Sequence, residues 1–513
     1  MPIFAYSPGG YHGHLVTVEV DIRLGIPGTD VVGMPSLAVR EAKERVRAAI
    51  RNSGLVFPPK RVLVNLAPAD VPKWGSAMDL AIAVGVLLAE NAGPGAGAAL
   101  AELRRYDADG LLVLGELRLS GEVRGTRAVL AAVAEAKRAG ISTVLVPPEN
   151  AAEALLVSGM TVLSAPTLAD CLSPQRAAPG RRQERSPTAE PDFVDLAGNA
   201  DLVRLCLVAG AGGHNVLLFG PPGSGKTMTA ERLPGILPDL SESQSLEVTR
   251  IHSLRGTRIG HEGLIKRPPV RMPHHSASRE GMIGGSREVL PGEISMAHAG
   301  VLILDEAPEF RRDVVQALRE PLESGRISVV RAGRRYEFPA RFRLVMTMNT
   351  CPCGNSGRPG RVCLCSEAQV HRYWSRIGGP LLDRIDLRYK TTYVSRILDK
   401  PGESTASLRH KAIRACRAQS ARYRGLPWSK NGSVPPGKVR YYCGPVGDGP
   451  RVLAKAIDRF ELSPRAVHSI LRVARTIADL ANTDSVGADE LLEAIYYRVA
   501  ARESSSSESL HAG

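Results

Sequence analysis

Apolar positions recur along the chain with two alternating periods. VTVEVDIR (16–23) and RVLVNLAP (61–68) show the every-second-residue pattern of strands with one buried face, and a helical run from Ser36 to Ser53, closed by Gly54, separates them. An apolar helix follows around 79–90. A further helical pattern over 126–139 passes through Gly140 into STVLVPP (142–148), a short apolar run of the buried-strand kind. Residues 1–172 therefore predict an α/β or α+β unit.

The segment 173–192, SPQRAAPGRRQERSPTAEPD, holds four prolines and almost no large apolar side chain, which predicts an interdomain linker. From 193 to about 390, apolar strands again alternate with turns and helices, predicting a second α/β unit. The remainder, 391–502, is largely helical, with ESTASLRHKAIRACRAQSARYRG at 403–425, PRAVHSILRVARTIADLAN and ADELLEAIYYRVAAR. Residues 503–513 are Ser-rich and predict a frayed tail. No internal repeat is evident.

Composition narrows the class. A length of 513 residues predicts about three to four domains, and 43% hydrophobic with 23% charged residues excludes a fibrous or largely disordered protein. The net charge of +14 makes a polyanionic partner plausible. The same surplus also fits a chain simply rich in Arg, Ala and Gly, so the position of the charges must decide. Of eight Cys, four crowd into 351–365 and Cys171, Cys206, Cys416 and Cys443 are scattered, which points away from a secreted disulfide framework and toward a reducing cytoplasm. The start, MPIFAYSPGGYHG, lacks a signal-peptide pattern, and the longest strongly apolar stretch, Leu80 to Ala89, is too short to span a bilayer. Neither export nor a membrane anchor is expected.

NVLLF (215–219) runs into GPPGSGKT (220–227) and then into a helix, the strand–loop–helix context of a phosphate-binding loop. Backbone N–H groups of Gly220, Gly223, Ser224 and Gly225 would surround the β-phosphate of ATP, with Pro221 and Pro222 shaping the turn. Lys226 would neutralise the β- and γ-phosphates, and Thr227 would offer a hydroxyl to Mg²⁺. VLILDE delivers Asp305 and Glu306 at the end of an apolar strand. Asp305 is placed to hold the Mg²⁺ shell and Glu306 to polarise the attacking water. The strand RLVMTMN ends in Asn349, whose amide could orient that water. Arg384 in GPLLDRIDL and Arg465 in ELSPRAVHSIL could stabilise charge on the transferring phosphoryl. Internal ion pairing or a solvated helix start explains each of them equally well.

Between 326 and 343 stand six Arg and one acidic residue, and ISVVRAGRRYEF reads as a hairpin turning at Gly333. Arg326, Arg331, Arg334 and Arg335 are therefore candidate phosphate contacts to DNA, against the reading of a solvated or subunit-contacting hairpin. A Gly-containing basic stretch at 271–288, RMPHHSASREGMIGGSRE, is a second candidate, as a flexible pore loop. Cys351, Cys353, Cys363 and Cys365 form two C-x-C pairs that could close a structural Zn²⁺ site; reduced thiols or a redox-sensitive pair are the alternatives.

Together these motifs resemble an AAA+ ATPase, and more closely the magnesium-chelatase-like ComM/YifB family. The likeness extends through VREAKERVRAAIRNSG, VNLAPADVPKWGSAMDLAIAVG, MPHHSASREGMIGG, PGEISMAHAGVLILDEAPEF, NTCPCG and PRAVHSILRVARTIADL. The resemblance implies an α/β fold with an AAA+ core at 193–390, a Lon-protease-like α/β domain at 1–172 and a helical lid at 391–502. It also implies Lys226 and Thr227 as Walker A, Asp305 and Glu306 as Walker B, Asn349 as sensor 1, Arg384 as an arginine finger acting in trans, and Arg465 as sensor 2. The implied activity is ATP-driven translocation on single-stranded or branched DNA by a homo-oligomeric, hexameric ring, in recombination or natural transformation. A Lon-type Ser–Lys dyad is not expected: matching KWGSAMD puts Ala77 at the nucleophile position and Leu130 at the base, with Ser76 one place off and Arg127 a poor proton acceptor. The rivals are a motor subunit for inserting Mg²⁺ into a porphyrin, a protease and a nucleotide-switched scaffold.

Overall fold

Two separate β-sheets carry the alternating pattern. The computed structural model describes residues 1–90, 103, 110–178, 191–196, 198–257, 263–286, 288–331, 333–393 and 402–499. Residues 179–190 of the expected linker, 394–401, and the Ser-rich tail lie outside the described residues.

The first sheet uses β1 (Ile3–Ser7), β2 (His14–Arg23), β3 (Gly28–Val32), β4 (Arg61–Ala67), β5 (Leu111–Val113), β8 (Thr143–Val146), β9 (Thr161–Ser164) and β10 (Gln175–Arg176); β6 (Glu116–Leu117) and β7 (Val123–Arg124) form a small separate hairpin. Its strand order is β10-β9-β8-β5-β1-β2-β4-β3, with antiparallel pairing of β2 to both β1 and β4 and parallel pairing from β1 through β5 and β8 to β9. The helix expected around 79–90 runs Asp79–Glu90, and every residue from Asp79 to Leu87 is buried. Each aliphatic side chain buried this way contributes about 1.5–3 kcal/mol. Gly85 lets this helix approach the sheet, since a Cβ there would stand 2.9 Å from Val20 Cγ2. The helix expected over 36–53 runs Leu37–Asn52, and its Arg45 bonds the buried Asp79 at 2.7 Å.

The second sheet contains β11 (Val216–Phe219), β12 (Val270–Arg271), β13 (Val301–Leu304), β16 (Arg343–Met348) and β17 (Leu387–Lys390) in the order β12-β13-β16-β11-β17, parallel throughout. The expected hairpin is present as β14 (Arg326–Arg331) and β15 (Arg334–Pro339). Beyond β17, helices Thr405–Arg422, Pro436–Cys443, Gly449–Phe460, Pro464–Ala481 and Ala488–Val499 share one apolar core with helix Ala200–Gly212 and β11. No helix among the described residues is long and apolar enough to cross a membrane.

A buried polar network ties the C-terminal helices together. Asp479 accepts from Arg422 at 2.5 Å, from Arg475 at 2.9 Å and from Asn431 at 2.9 Å. Removing one partner of such a network strands the other charges away from water. Asp479→Ala is therefore expected to cost about 3–5 kcal/mol, read as a lowered urea midpoint at unchanged slope.

The two units are joined by contacts among polar and apolar groups. Phe338, Leu254 and Val289 of the second unit pack into a core with Tyr6, Leu112 and Val129 of the first. Arg250, on helix Glu242–Leu254, bonds Glu135 at 2.5 Å and lies 4.5 Å from the centre of the Tyr11 ring. Burial acts to raise the Glu135 pKa, but hydrogen bonds from Arg250 and His12 outweigh it and hold the carboxylate below the ordinary glutamate range. A depressed acid pKa stabilises the fold above the unfolded value, about 4.3, and the gain disappears as pH falls through the folded value. Glu135→Gln should lower Tm near neutrality, and its deficit should vanish on acidification through that window in a thermal-unfolding series.

Candidate active site

Parallel strands buried on both faces are continuous apolar runs, and their polar residues gather at the carboxyl edge, where ligands bind in such sheets. Phe219 pairs with Met348 and Leu304 with Met346, so this register brings Gly220, Asp305 and Asn349 to one edge.

The phosphate loop springs from β11. Gly223 and Gly225 hold left-handed backbone conformations with φ of 78° and 82°, and no heavy atom lies within 4 Å of where a Cβ would stand at either. That open, amide-lined turn fits a phosphate. Gly220 is instead tightly packed: a Cβ would meet Thr391 Oγ1 at 2.1 Å and Thr391 O at 2.4 Å. Because the second contact is with backbone, Gly220→Ala is expected to displace the loop and abolish nucleotide binding, checked with a fluorescent ADP analogue. Thr391 also meets Ser224 Oγ at 2.6 Å, while Ser224 donates to Pro221 O at 2.8 Å. Pro222 stands exposed at the loop's outer side.

Lys226 is buried, and its ammonium donates to Gly220 O at 2.9 Å, Pro221 O at 2.8 Å and Asn349 Oδ1 at 3.3 Å. Burial lowers its pKa from the ordinary lysine value, opposed by Asp305 and Glu306. Thr227 Oγ1 donates to Asp305 Oδ1 at 2.9 Å, so a hydroxyl and a carboxylate are already adjacent, as a pair of oxygen ligands for Mg²⁺ must be. The donor set thus fits a Mg²⁺–nucleotide.

Thr347 donates to the same Asp305 oxygen at 2.6 Å and accepts the Glu306 N–H at 3.0 Å. It holds both carboxylate-bearing residues in place. Glu306 itself has φ of 51°, a left-handed conformation uncommon for a side-chain-bearing residue, and is exposed. Neither Thr347 nor Thr391 was expected; the signal for Thr347 was a hydroxyl interrupting the apolar strand RLVMTMN.

Arg384 and Arg465 do not join this cluster. Both donate to Glu323 Oε1, Arg465 at 2.6 Å and Arg384 in a closer contact, and among the described residues neither bonds the phosphate loop. The Arg384 turn is held from behind: Arg498 bonds the carbonyl of Ile385, and Asp386 accepts from Ser469 at 2.6 Å. Arg384 also borders a cleft of about 900 Å³ with Arg279, Arg319, Arg331, Glu320 and Glu323.

The basic hairpin is less free than its sequence suggests. Arg334 bonds the backbone and, at 3.2 Å, the carboxylate of Asp70, so this guanidinium is engaged within the protomer. Arg326 and Arg335 share Glu337 at 3.3 and 3.2 Å. Of the four candidates, Arg331 is the one that is exposed with no partner among the described residues. Within the basic stretch at 271–288, Arg271 forms a two-point pair with Glu293, and a Cβ on Gly285 would lie 2.6 Å from Val329 of β14.

In the first unit, Ser76 Oγ donates to Glu116 Oε1 at 2.6 Å, with no amine or imidazole bonded to it among the described residues, and Leu130 is fully buried. Arg127 pairs with Glu288. The sulfurs of Cys351, Cys353, Cys363 and Cys365 all lie within 4.8 Å of one another.

Comparison with known proteins agrees with this geometry. Three family models match consecutive stretches: magnesium chelatase subunit ChlI over 192–397, subunit ChlI of Mg-chelatase over 18–150, and the ChlI C-terminal region over 402–498. The competence protein ComM of Haemophilus influenzae is 36% identical over 520 residues, covering 98% of this chain and 97% of that protein. YifB of Escherichia coli is 39% identical over 499 residues, covering 95% of each. The magnesium-chelatase 38 kDa subunit of Rhodobacter capsulatus is 27% identical over 175 residues, 31% of this chain and 49% of that subunit. The chain belongs to the magnesium-chelatase-like ComM/YifB family of AAA+ ATPases.

Proposed function

We propose that the protein is a ring-forming motor that hydrolyses ATP between protomers and moves along single-stranded or branched DNA, in recombination or natural transformation. The observation that carries the hydrolytic part is the convergence of Lys226, the Thr227–Asp305–Thr347 cluster, Glu306 and Asn349 at one edge of a parallel sheet. Lys226 neutralises the terminal phosphates, Glu306 orients and polarises the attacking water, and Asn349 positions both Lys226 and that water. Thr227 and Asp305 would hold a Mg²⁺ ion, which when bound would supply charge neutralisation for the phosphates. Arg384, gathered with Arg465 on Glu323 and away from its own phosphate loop in bonding, completes the site of a neighbouring copy as the arginine finger, while Arg465 serves as sensor 2. Action in trans calls for a homo-oligomeric ring, which we propose to be six-membered.

The DNA substrate is supported by the +14 net charge, by exposed Arg331 with Arg326 and Arg335 beside it, and by the name of the competence relative. The first unit, in this reading, is a Lon-like fold used for assembly or binding, since among the described residues Ser76 bonds no amine and Leu130 cannot act as the base. The four clustered cysteines hold a structural Zn²⁺ outside the hydrolytic step, because four sulfur ligands leave no coordination position for water. The site operates in the cytoplasm.

ATP turnover measured with and without single-stranded and branched DNA, at stated salt, tests the reading. Stimulation by DNA that weakens as salt rises is expected. Equal rates with and without DNA would contradict it. The family descriptions favour one alternative, a motor for inserting Mg²⁺ into a porphyrin; turnover raised by a tetrapyrrole-binding partner and indifferent to DNA would support that instead.

A further inference from the structure

Residues 351–365 leave the carboxyl edge of β16 immediately after Asn349 and turn back beside the phosphate loop. The segment has little apolar material with which to hold itself: Val362 is 78% and Leu364 89% exposed. Three of its turns depend on left-handed glycines, Gly354, Gly357 and Gly360, with φ of 75°, 80° and 70°. A loop of this composition needs a staple.

The cysteines supply the geometry of one. Cys351 Sγ lies 3.4 Å from Cys353 Sγ and 3.5 Å from Cys363 Sγ, and Cys353 Sγ lies 3.7 Å from Cys363 Sγ. All eight cysteines are free, and these separations far exceed a disulfide bond of about 2.05 Å. They approach the edge of a tetrahedron, about 3.8 Å, that four sulfurs would define around a Zn²⁺ at about 2.3 Å. Two backbone N–H groups point at sulfur, Asn355 toward Cys353 at 3.5 Å and Ser356 toward Cys351 at 3.4 Å. Four sulfurs from two C-x-C pairs match the soft-ligand preference of Zn²⁺ over Mg²⁺ or Ca²⁺.

The loop so stapled lies against the nucleotide site. A Cβ on Gly354 would stand 3.0 Å from Pro222 Cγ, and one on Gly357 3.9 Å from Pro221 Cδ. At the loop's root, Trp374 Nε1 donates to Thr350 O at 3.1 Å and the Trp374 ring meets Phe219 of β11 edge-on at 5.2 Å. Cys351 is fully buried two residues from Asn349, the partner of Lys226.

We propose that a Zn²⁺ ion held by Cys351, Cys353, Cys363 and Cys365 buttresses Pro221 and Pro222 from outside, so that zinc occupancy sets the shape of the phosphate loop and hence nucleotide affinity. The coupling rests on the nucleotide-site reading; the metal site itself does not.

Metal analysis of the purified full chain is expected to give one zinc per chain, and Cys353→Ser to reduce it. Stripping zinc with a chelator, then restoring Mg²⁺, should weaken binding of a fluorescent ADP analogue about tenfold, the loss of one well-placed phosphate contact, and added Zn²⁺ should restore it. Far-UV circular dichroism should stay unchanged. Absence of zinc, with none taken up on addition, would overturn the site. Zinc present but ADP affinity unaffected by stripping, or global loss of helix on stripping, would overturn the buttress. Zinc-loaded protein with no nucleotide affinity would overturn the active-site reading and the buttress together while leaving the zinc site standing.

Discussion

Arg384→Ala is expected to lower ATP turnover by about 10³–10⁵-fold while leaving nucleotide affinity nearly unchanged, as removal of a guanidinium that meets the transferring phosphoryl only in the transition state would do. The geometry behind this expectation is the separation of roles within one chain. Lys226 is bonded to Asn349 and Thr227 to Asp305, whereas Arg384 shares Glu323 with Arg465 and bonds none of these four. If the finger acts on a neighbour, defects in the two halves complement. Arg384→Ala protomers keep an intact phosphate loop, and Lys226→Ala protomers keep an intact finger. Mixing the two inactive proteins should therefore restore measurable phosphate release, because a fraction of interfaces then pairs a good loop with a good finger. A mixture as inactive as its components would contradict action in trans.

Glu306→Gln is expected to retain ATP binding and to reduce steady-state phosphate release by about 10²–10⁴-fold, the range for removing a positioned general base. The amide keeps the size and the left-handed backbone of Glu306, whose N–H stays on Thr347 Oγ1, so binding geometry is preserved and only the carboxylate's pull on water is lost. Thr347→Val serves as the companion variant. It removes the hydroxyl that bonds Asp305 and Glu306 but neither group itself, and should cut turnover less than Glu306→Gln while weakening Mg²⁺ dependence. Unchanged turnover in Glu306→Gln would remove Glu306 from the chemistry.

The phosphate loop and the three strands leading to Gly220, Asp305 and Asn349 were legible because each is a largely apolar buried run whose carboxyl end is followed at once by the residue that carries the site. The helices Pro436–Cys443 and Gly449–Phe460 were not legible. Their sequences, PPGKVRYYC and GDGPRVLAK, begin with prolines and glycines that resemble loop, although proline in the first turn is compatible with a helix. Strand β1 was missed as well: it sits between β2 and β5, and its IFAYS lacks alternation. Pairings across long sequence separations left no local trace. Arg334 finds Asp70, 264 residues away, and Arg384 finds Glu323, 61 away, so a basic hairpin that reads as free is partly neutralised in three dimensions.

Coupling of ATP cleavage to movement is tested most directly by displacement of streptavidin from the end of biotinylated single-stranded DNA by the full-length protein. The account predicts release that requires hydrolysable ATP and is lost with Glu306→Gln and with Arg384→Ala. ATP turnover stimulated by the same DNA, with streptavidin left in place at either end of the strand and branched junctions left unmoved, would contradict it.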